Sequence, residues 1–195
     1  MLREGSEVSR DGRTGDVLAE ILIQGSSSTT VPVLASFVAP WPLASGTVFD
    51  VECRNPSTGD GAFLAVSSLV KSSTIQDVPD SFLVEQLIGP TGRFSSYGTP
   101  TDVKIRSSKT DGNYRTIDFS FSTLSQSTQT ELPRRARIVA TLPDGTRQAV
   151  MLVGSASLSR WNKSSKETIL AVTDSFRAIP APISSLRLRA KERRS

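Results

Sequence analysis

Apolar and polar residues alternate most regularly over residues 115–121, where three apolar side chains are separated by single polar ones. A period of two is typical of a strand that buries one face. Residues 137–142 and 147–153 follow as two further runs of β-forming residues. The sequence between them, residues 143–145, is Pro-Asp-Gly, which suits a tight turn between antiparallel strands. The pattern predicts an antiparallel meander with a sheet built around it.

Other strand signals surround this meander. Residues 17–23 fit either a strand or a short helix, because an apolar run of this length has no decisive period. Four more runs have strand composition: 31–38, 47–54, 62–69 and 102–106. Asp80 has the residue type and position of a helix N-cap, and Gly89 followed by proline would end that helix.

The strongest helix signal lies near the C-terminus. Ser164 and Glu167 have the spacing of a capping box, and Pro180 would end the helix. Apolar residues then recur at helical spacing, at Ile169, Val172, Phe176 and Ile179. Strands, a short helix, more strands and a terminal helix together predict an α+β fold with helices covering an antiparallel sheet.

Charge and composition divide the chain into three parts. We expect a loosely held N-terminal segment over 1–16, one domain over 17–182 and a basic tail over 183–195. The tail contributes much of the net charge of +4 and includes Arg187 and Arg189. A solvated tail is the simpler interpretation, and an arm that binds nucleic acid is the alternative.

The chain contains no histidine, which removes the usual general base at neutral pH and the commonest zinc ligand. Cys53 is the single cysteine, and alternation over residues 49–53 predicts that it is a small buried apolar group and not a nucleophile. An enzyme that uses carboxylates stays open, with candidates Asp50, Glu52, Asp118 and Glu131, but no spacing places two of them in one cleft. We therefore predict a protein that is not an enzyme and that needs no cofactor.

Residues 55–61 form an oxygen-rich loop, Asn-Pro-Ser-Thr-Gly-Asp-Gly. Asn55 and Asp60 are weak candidates for metal ligands. The same composition is typical of any turn between strands, and the spacing fits no calcium loop. The prediction for this loop is a turn, with no metal site.

Hydroxyl and amide side chains are concentrated in residues 122–130, immediately before a cluster of arginines. Such groups suit a wet, polar interface with a protein partner. The predicted partner-binding residues are Gln126, Gln129, Arg134, Arg135 and Arg137, together with Arg187 and Arg189 of the tail. Some of these arginines could equally be solvated or structural.

Several segments resemble the PsbP family of chloroplast proteins, in particular its PsbP domain-containing branch. The similarity is carried by residues 121–137 and 150–156, by Arg160-Trp161, and by the segment 175–180 that reads Ser-Phe-Arg-Ala-Ile-Pro. It extends back through residues 40–42, 55–61 and 88–93 and covers most of the chain from about 31 to about 194. The order and extent of these pieces identify the family, since no single piece is specific.

The resemblance implies a Mog1/PsbP-like α/β/α sandwich, with helices on both sides of a central antiparallel sheet. It also implies a non-enzymatic accessory or assembly protein of a photosystem in the thylakoid lumen of the chloroplast, peripheral to the membrane and bound to photosystem polypeptides. PsbP belongs to the oxygen-evolving complex of photosystem II and is associated with calcium, so calcium is a possibility at the level of the family only.

Two features depart from the family. Its metal-linked histidines have no counterpart in this chain. Residues 1–16 match neither a lumenal targeting segment nor the N-terminal segment through which PsbP acts, so the lumenal location follows from the resemblance and not from a targeting signal.

Overall fold

The computed structural model describes residues 7–26, 29–44, 51–96, 98–125, 128 and 130–181. The strands are β1 (Glu7–Arg10), β2 (Asp16–Gln24), β3 (Thr30–Val38), β4 (Glu52–Arg54), β5 (Gly61–Leu69), β6 (Thr101–Asp111), β7 (Tyr114–Leu124), β8 (Glu131–Thr141), β9 (Gln148–Ser157) and β10 (Arg177–Pro180). The helices are α1 (Asp80–Ile88), α2 (Leu158–Arg160) and α3 (Lys166–Asp174), and a π-helical turn, Trp161–Ser165, joins α2 to α3. Single 3-10 turns cover Ile75–Asp77 and Arg93–Ser95.

Six strands form the larger sheet, in the order β4-β5-β9-β8-β7-β6, and every neighbouring pair is antiparallel. Its β7-β8-β9 part is the predicted meander, which is confirmed. The turn between β8 and β9 is also confirmed, because the Thr146 amide donates to the Pro143 carbonyl at 3.1 Å and Gly145 has a φ of 75°. A left-handed φ of this kind favours glycine.

A second antiparallel sheet has the order β1-β2-β3-β10. Residues 17–23, for which the sequence left strand and helix open, lie in β2. Strand β1 falls inside the segment 1–16 that we expected to be loosely held. Its four residues pair with β2, since Val8 can pack against the apolar core and the strand extends the sheet edge.

The predicted C-terminal helix is present but shorter than the apolar pattern suggested. It ends at Asp174, and Ile179 lies in β10, opposite Leu34 of β3, with 57% of its surface exposed. The placement of Ile179 on the helix was therefore wrong. Side chains of a strand point to alternate faces, so Ala178 is buried and its neighbour Ile179 is exposed.

The predicted capping box was also wrong. The helical segment begins at Leu158, so Ser164 and Glu167 lie inside it and not at a free end. Ser165 precedes α3 but makes no side-chain capping bond, and its hydroxyl donates to Asp60 at 2.6 Å.

Each face of the six-stranded sheet has its own core. One face packs against the four-stranded sheet and α3, and the other packs against α1. Trp41 lies at the edge of the first core, 9% exposed. The architecture is α+β, as the sequence predicted, but one face of the central sheet is covered by a second sheet together with α3 and not by helices only.

Candidate functional site

The three arginines of β8 are divided between the two faces of the six-stranded sheet. Arg134 has the same parity as Ala136 and Ile138, which belong to the core under α1. Arg135 and Arg137 have the opposite parity, shared with Val139 of the other core. Strand alternation thus places predicted partner-binding residues in two different environments.

Arg137 is held inside the molecule by carboxylates. Its Nε and Nη2 donate to the two oxygens of Asp118 at 2.7 and 3.0 Å, and its Nη1 donates to Asp174 at 3.3 Å. Burial raises the pKa of Asp118, but the hydrogen bonds from Arg137 and Ser107 and the charge of Arg137 outweigh that effect, so the pKa is lowered. This bidentate pair links β7 to β8. Arg137 therefore has the structural role that the sequence analysis gave as the alternative to partner binding.

Arg135 lies in a groove on the same face. The register places it opposite Ser120 of β7, and Ser120 lies opposite Lys104 of β6. Arg106 reaches the same point, because its Nε donates to Ser120 Oγ at 2.9 Å. We call the depression lined by Lys104, Arg106, Ser120, Ser122 and Arg135 the Arg135 groove, and its volume is about 280 Å3.

The groove is rich in uncompensated positive charge. Among the described residues, the side chains of Lys104 and Arg135 have no hydrogen-bond or ion-pair partner. Asp102 is the acidic residue of the lining, against three basic residues of the groove and Arg134 at its rim. This arrangement can accept carboxylates or other anions from outside the chain.

Arg134 lies in a second cavity of about 260 Å3, on the α1 side of the sheet. We call it the Arg134 pocket, and its wall includes Glu52, Arg54, Phe63, Arg93, Phe94, Leu124, Arg134 and Ser155. The pocket thus combines arginines with aromatic and aliphatic side chains.

The turn after α1 brings Arg93 and Phe94 into this wall. Gly92 permits the turn, because a Cβ there would lie 2.3 Å from the Leu87 carbonyl oxygen. The ring of Phe94 stacks at a tilt on Phe121, with centroids 4.5 Å apart. The Arg93 guanidinium lies over the Phe63 ring at 5.6 Å.

One oxygen of the pocket's carboxylate is engaged, and the other, Glu52 Oε2, is buried without a partner among the described residues. Glu52 is 5% exposed, and its Oε1 accepts from Arg93 at 2.7 Å and lies 3.9 Å from Arg54. Arg134 Nη2 donates to the neutral hydroxyl of Ser155 at 3.1 Å, and Arg134 Nε has no acceptor among the described residues. Burial lowers the pKa of Arg134, with Asp60 acting against that effect and Arg93 adding to it.

The two weak metal candidates have other roles. Asn55 Oδ1 accepts from the Ser57 amide at 2.9 Å, which closes the turn locally. Asp60 is 2% exposed, and its Oδ2 accepts from Arg160 and Ser165, each at 2.6 Å. Within the described ranges, no three acidic or sulfur side chains form a group suited to a metal ion.

The carboxylates considered for an enzyme are dispersed. Glu52 pairs with Arg93, Asp118 pairs with Arg137, and Glu131 accepts from Thr101 at 3.2 Å at the start of β8. Asp50 lies outside the described residues. Cys53 is fully buried, as predicted, and burial raises its pKa to about 11.

Four predicted partner-binding residues, Gln126, Gln129, Arg187 and Arg189, also lie outside the described residues. Sequence reasoning missed the contributions of Lys104, Arg106 and Arg93. The first two become visible only with the register of β6 against β7, which contains two irregularities in this region. Arg93 joins the site through Glu52, 41 positions away in sequence.

Comparisons with known proteins add little to this geometry. No family model matches the chain, and no curated protein matches it. Among solved structures, LpqN involved in cell envelope biogenesis of Mycobacterium tuberculosis is similar over 90% of this chain and 91% of its own, with 10% identity and a TM-score of 0.37. No described helix has the length and apolar character needed to cross a membrane. The function proposed below therefore rests on the residues of this chain and on the resemblance in its sequence.

Proposed function

We propose that this chain is a non-enzymatic accessory or assembly protein that binds acidic segments of photosystem polypeptides through the Arg135 groove. The proposal includes a location in the thylakoid lumen, a peripheral position at the membrane and a Mog1/PsbP-like arrangement of the domain. The family resemblance of residues 31–194 supports the class of partner and the location. The geometry of the groove supports the mode of binding.

The observation that carries the mode of binding is that Arg135 and Lys104 have no internal partner in the described part of the chain. Arg137, two residues further along β8, is saturated by Asp118 and Asp174. Arg137 is therefore an internal structural cation. The groove cations are available to a partner's carboxylates.

The chemistry of the groove favours an extended acidic peptide. Arg135 presents a planar guanidinium that can bind a carboxylate through two parallel hydrogen bonds, and Lys104 adds a point charge. The hydroxyls of Ser120 and Ser122 between them can bond to peptide groups. Charge complementarity of this kind raises association rates and selects partners more than it adds affinity.

Charge reversal tests the proposal. Purified protein is mixed with washed thylakoid membranes and sedimented, comparing the original chain with a double variant, Lys104→Glu with Arg135→Glu. We expect the double variant to remain in the supernatant and the original chain to sediment less as salt rises. Lys71→Glu with Arg147→Glu is the matched control, because it reverses one lysine and one arginine that are exposed at the opposite end of the sheet, where the Val70 amide donates to the Arg147 carbonyl.

Two results would overturn the proposal. One is equal sedimentation of the groove variant and the control variant, Lys71→Glu with Arg147→Glu. The other is release of the original chain by added RNA but not by an acidic peptide, which would favour a nucleic-acid-binding module of the same fold. Fractionation of chloroplasts with the tagged chain tests the location, and a pool outside the lumen would contradict it.

A further inference from the structure

We infer that the Arg134 pocket is a binding site for a small organic carboxylate with an apolar body, distinct from the Arg135 groove. The inference does not depend on the proposed function, because the two sites lie on opposite faces of the six-stranded sheet. It rests on the charge balance, the size and the lining of the pocket.

The lining of the pocket carries a net positive charge. Arg54, Arg93 and Arg134 line the pocket, and Glu52 is the carboxylate among the lining residues. Glu52 is bound closely by Arg93 at 2.7 Å, whereas Arg54 lies 3.9 Å from the same oxygen, beyond hydrogen-bond distance. Arg134 has a neutral hydroxyl as its bonded partner. A carboxylate between Arg54 and Arg134 would add a direct partner to the compensation that Asp60 gives Arg134 through its charge.

Because Arg134 is largely buried, a bound anion would stabilise its charge more than it would at an exposed site. Burial lowers the pKa of its guanidinium, because a charged group is less well solvated away from water. Its Nε is buried without an acceptor among the described residues. Buried polar groups in proteins are almost always hydrogen-bonded, so an orphaned donor beside a cavity indicates a functional position.

The lining defines the rest of the ligand. Phe63, Phe94 and Leu124 contribute apolar surface to the lining, with Arg93 over the ring of Phe63. Inorganic phosphate would leave that surface uncovered, whereas a carboxylate with an aromatic or branched body would cover it. The volume of about 260 Å3 is just below the usual range of ligand pockets, roughly 300–1,000 Å3. The ligand is therefore small, of the size of phenylacetate.

Four probes separate these requirements. Phenylacetate carries both the charge and the apolar body, acetate carries only the carboxylate, phenylacetamide carries only the body, and inorganic phosphate is an anion without a body. Amide chemical shifts of Gly61 and Gly98, which also line the pocket, report binding during titration. We expect saturable shifts with phenylacetate, weaker binding of acetate and phosphate, and none with phenylacetamide.

Two single variants locate the site. Arg134→Gln removes the central cation, and we expect it to weaken phenylacetate by about tenfold or more, the value of one charge-assisted hydrogen bond. Arg135→Gln is the matched control, since it is the adjacent residue on the opposite face, and it should leave the affinity unchanged. Arg54→Gln provides a second test on an exposed residue whose replacement leaves the core intact.

Several outcomes would overturn the inference. Absence of saturable shifts at millimolar phenylacetate would mean that solvent alone compensates the charge of the arginines in the pocket. Equal affinity for phosphate would contradict the role of the apolar surface. Equal effects of Arg134→Gln and Arg135→Gln, with unchanged near-UV circular dichroism, would assign the binding to general positive charge.

Discussion

Arg134 and Arg135 are consecutive in the sequence, yet they serve opposite faces of one sheet. Arg134 bonds to Ser155 on the α1 side, and Arg135 lies opposite Ser120 in the groove on the other side. Neighbouring residues of a strand can therefore belong to two independent sites.

This division predicts that the two substitutions have separable effects. Arg135→Gln should reduce sedimentation with thylakoid membranes and leave the phenylacetate titration unchanged. Arg134→Gln should weaken phenylacetate strongly and reduce sedimentation less than Arg135→Gln does, because Arg134 lies only at the rim of the groove. Both assays are run on the same two proteins, so each variant is the control for the other, and loss of both activities in either variant would contradict two independent sites.

The Asp118–Arg137 pair predicts a defined contribution to stability. Asp118→Asn should lower the free energy of unfolding by about 2 kcal/mol near neutral pH, as expected when a hydrogen bond to a charged group is lost. Urea unfolding of Asp118→Asn, of Arg137→Gln and of the variant that carries both changes measures the coupling between the two side chains. Additive losses would mean that the pair is not coupled.

The same pair predicts a dependence on acid. Its surroundings lower the pKa of Asp118 in the folded chain below its value of 3.8 in the unfolded chain. The contribution is therefore complete above the unfolded pKa and is lost as pH falls through the lower, folded pKa. Unfolding curves at falling pH should converge for the original chain and Asp118→Asn, and a constant gap between them would contradict this assignment.

Cys53 predicts a loss of stability in alkali. Burial raises the pKa of its thiol from 9.0 to about 11, so unfolding between these values releases a proton. The free energy of unfolding should then fall by about 1.4 kcal/mol per pH unit across that window, and be unaffected by this group below pH 9.0. Subtracting the curve of Cys53→Ala removes the contribution of other groups. At pH 8 the folded thiol should also resist a disulfide reagent until urea unfolds the chain.

The local parts of the fold were predictable from the sequence, and the long-range parts were not. Alternation over residues 115–121 and the Pro-Asp-Gly turn each depend on a few neighbouring residues, so the meander emerged correctly. The position of Ile179 did not, because residues at spacings of three and four fit a helix until β3 is available to pair with β10. Short apolar runs commonly leave this ambiguity.

The candidate sites follow the same division. Arg134 and Arg135 could be selected from the sequence as an arginine cluster, but their separation appears only because β8 begins at Glu131, whereas the sequence placed the strand at 137–142. Arg160 reaches Asp60 across 100 positions, and this contact turns a possible metal ligand into a structural carboxylate. Contacts at such separations leave no local signal in a single sequence.

Gly154 of β9 lets α3 pack close to the sheet, because it has no side chain. A Cβ at this position would lie 2.7 Å from Ile169 Cγ2 and 3.0 Å from Thr173 Cγ2, so α3 would have to move. Gly154→Ala should therefore lower the free energy of unfolding by about 1–3 kcal/mol, the usual cost of overpacking a core. Gly12→Ala is the matched control, because a Cβ there meets no atom within 4 Å. If Gly154→Ala unfolds at the same urea concentration as Gly12→Ala, α3 is free to shift and its packing on β9 does not limit stability. If a further change, Thr173→Ser, restores part of the loss by removing the Cγ2 methyl that lies 3.0 Å from the new Cβ, the contact between the strand and the helix is the cause.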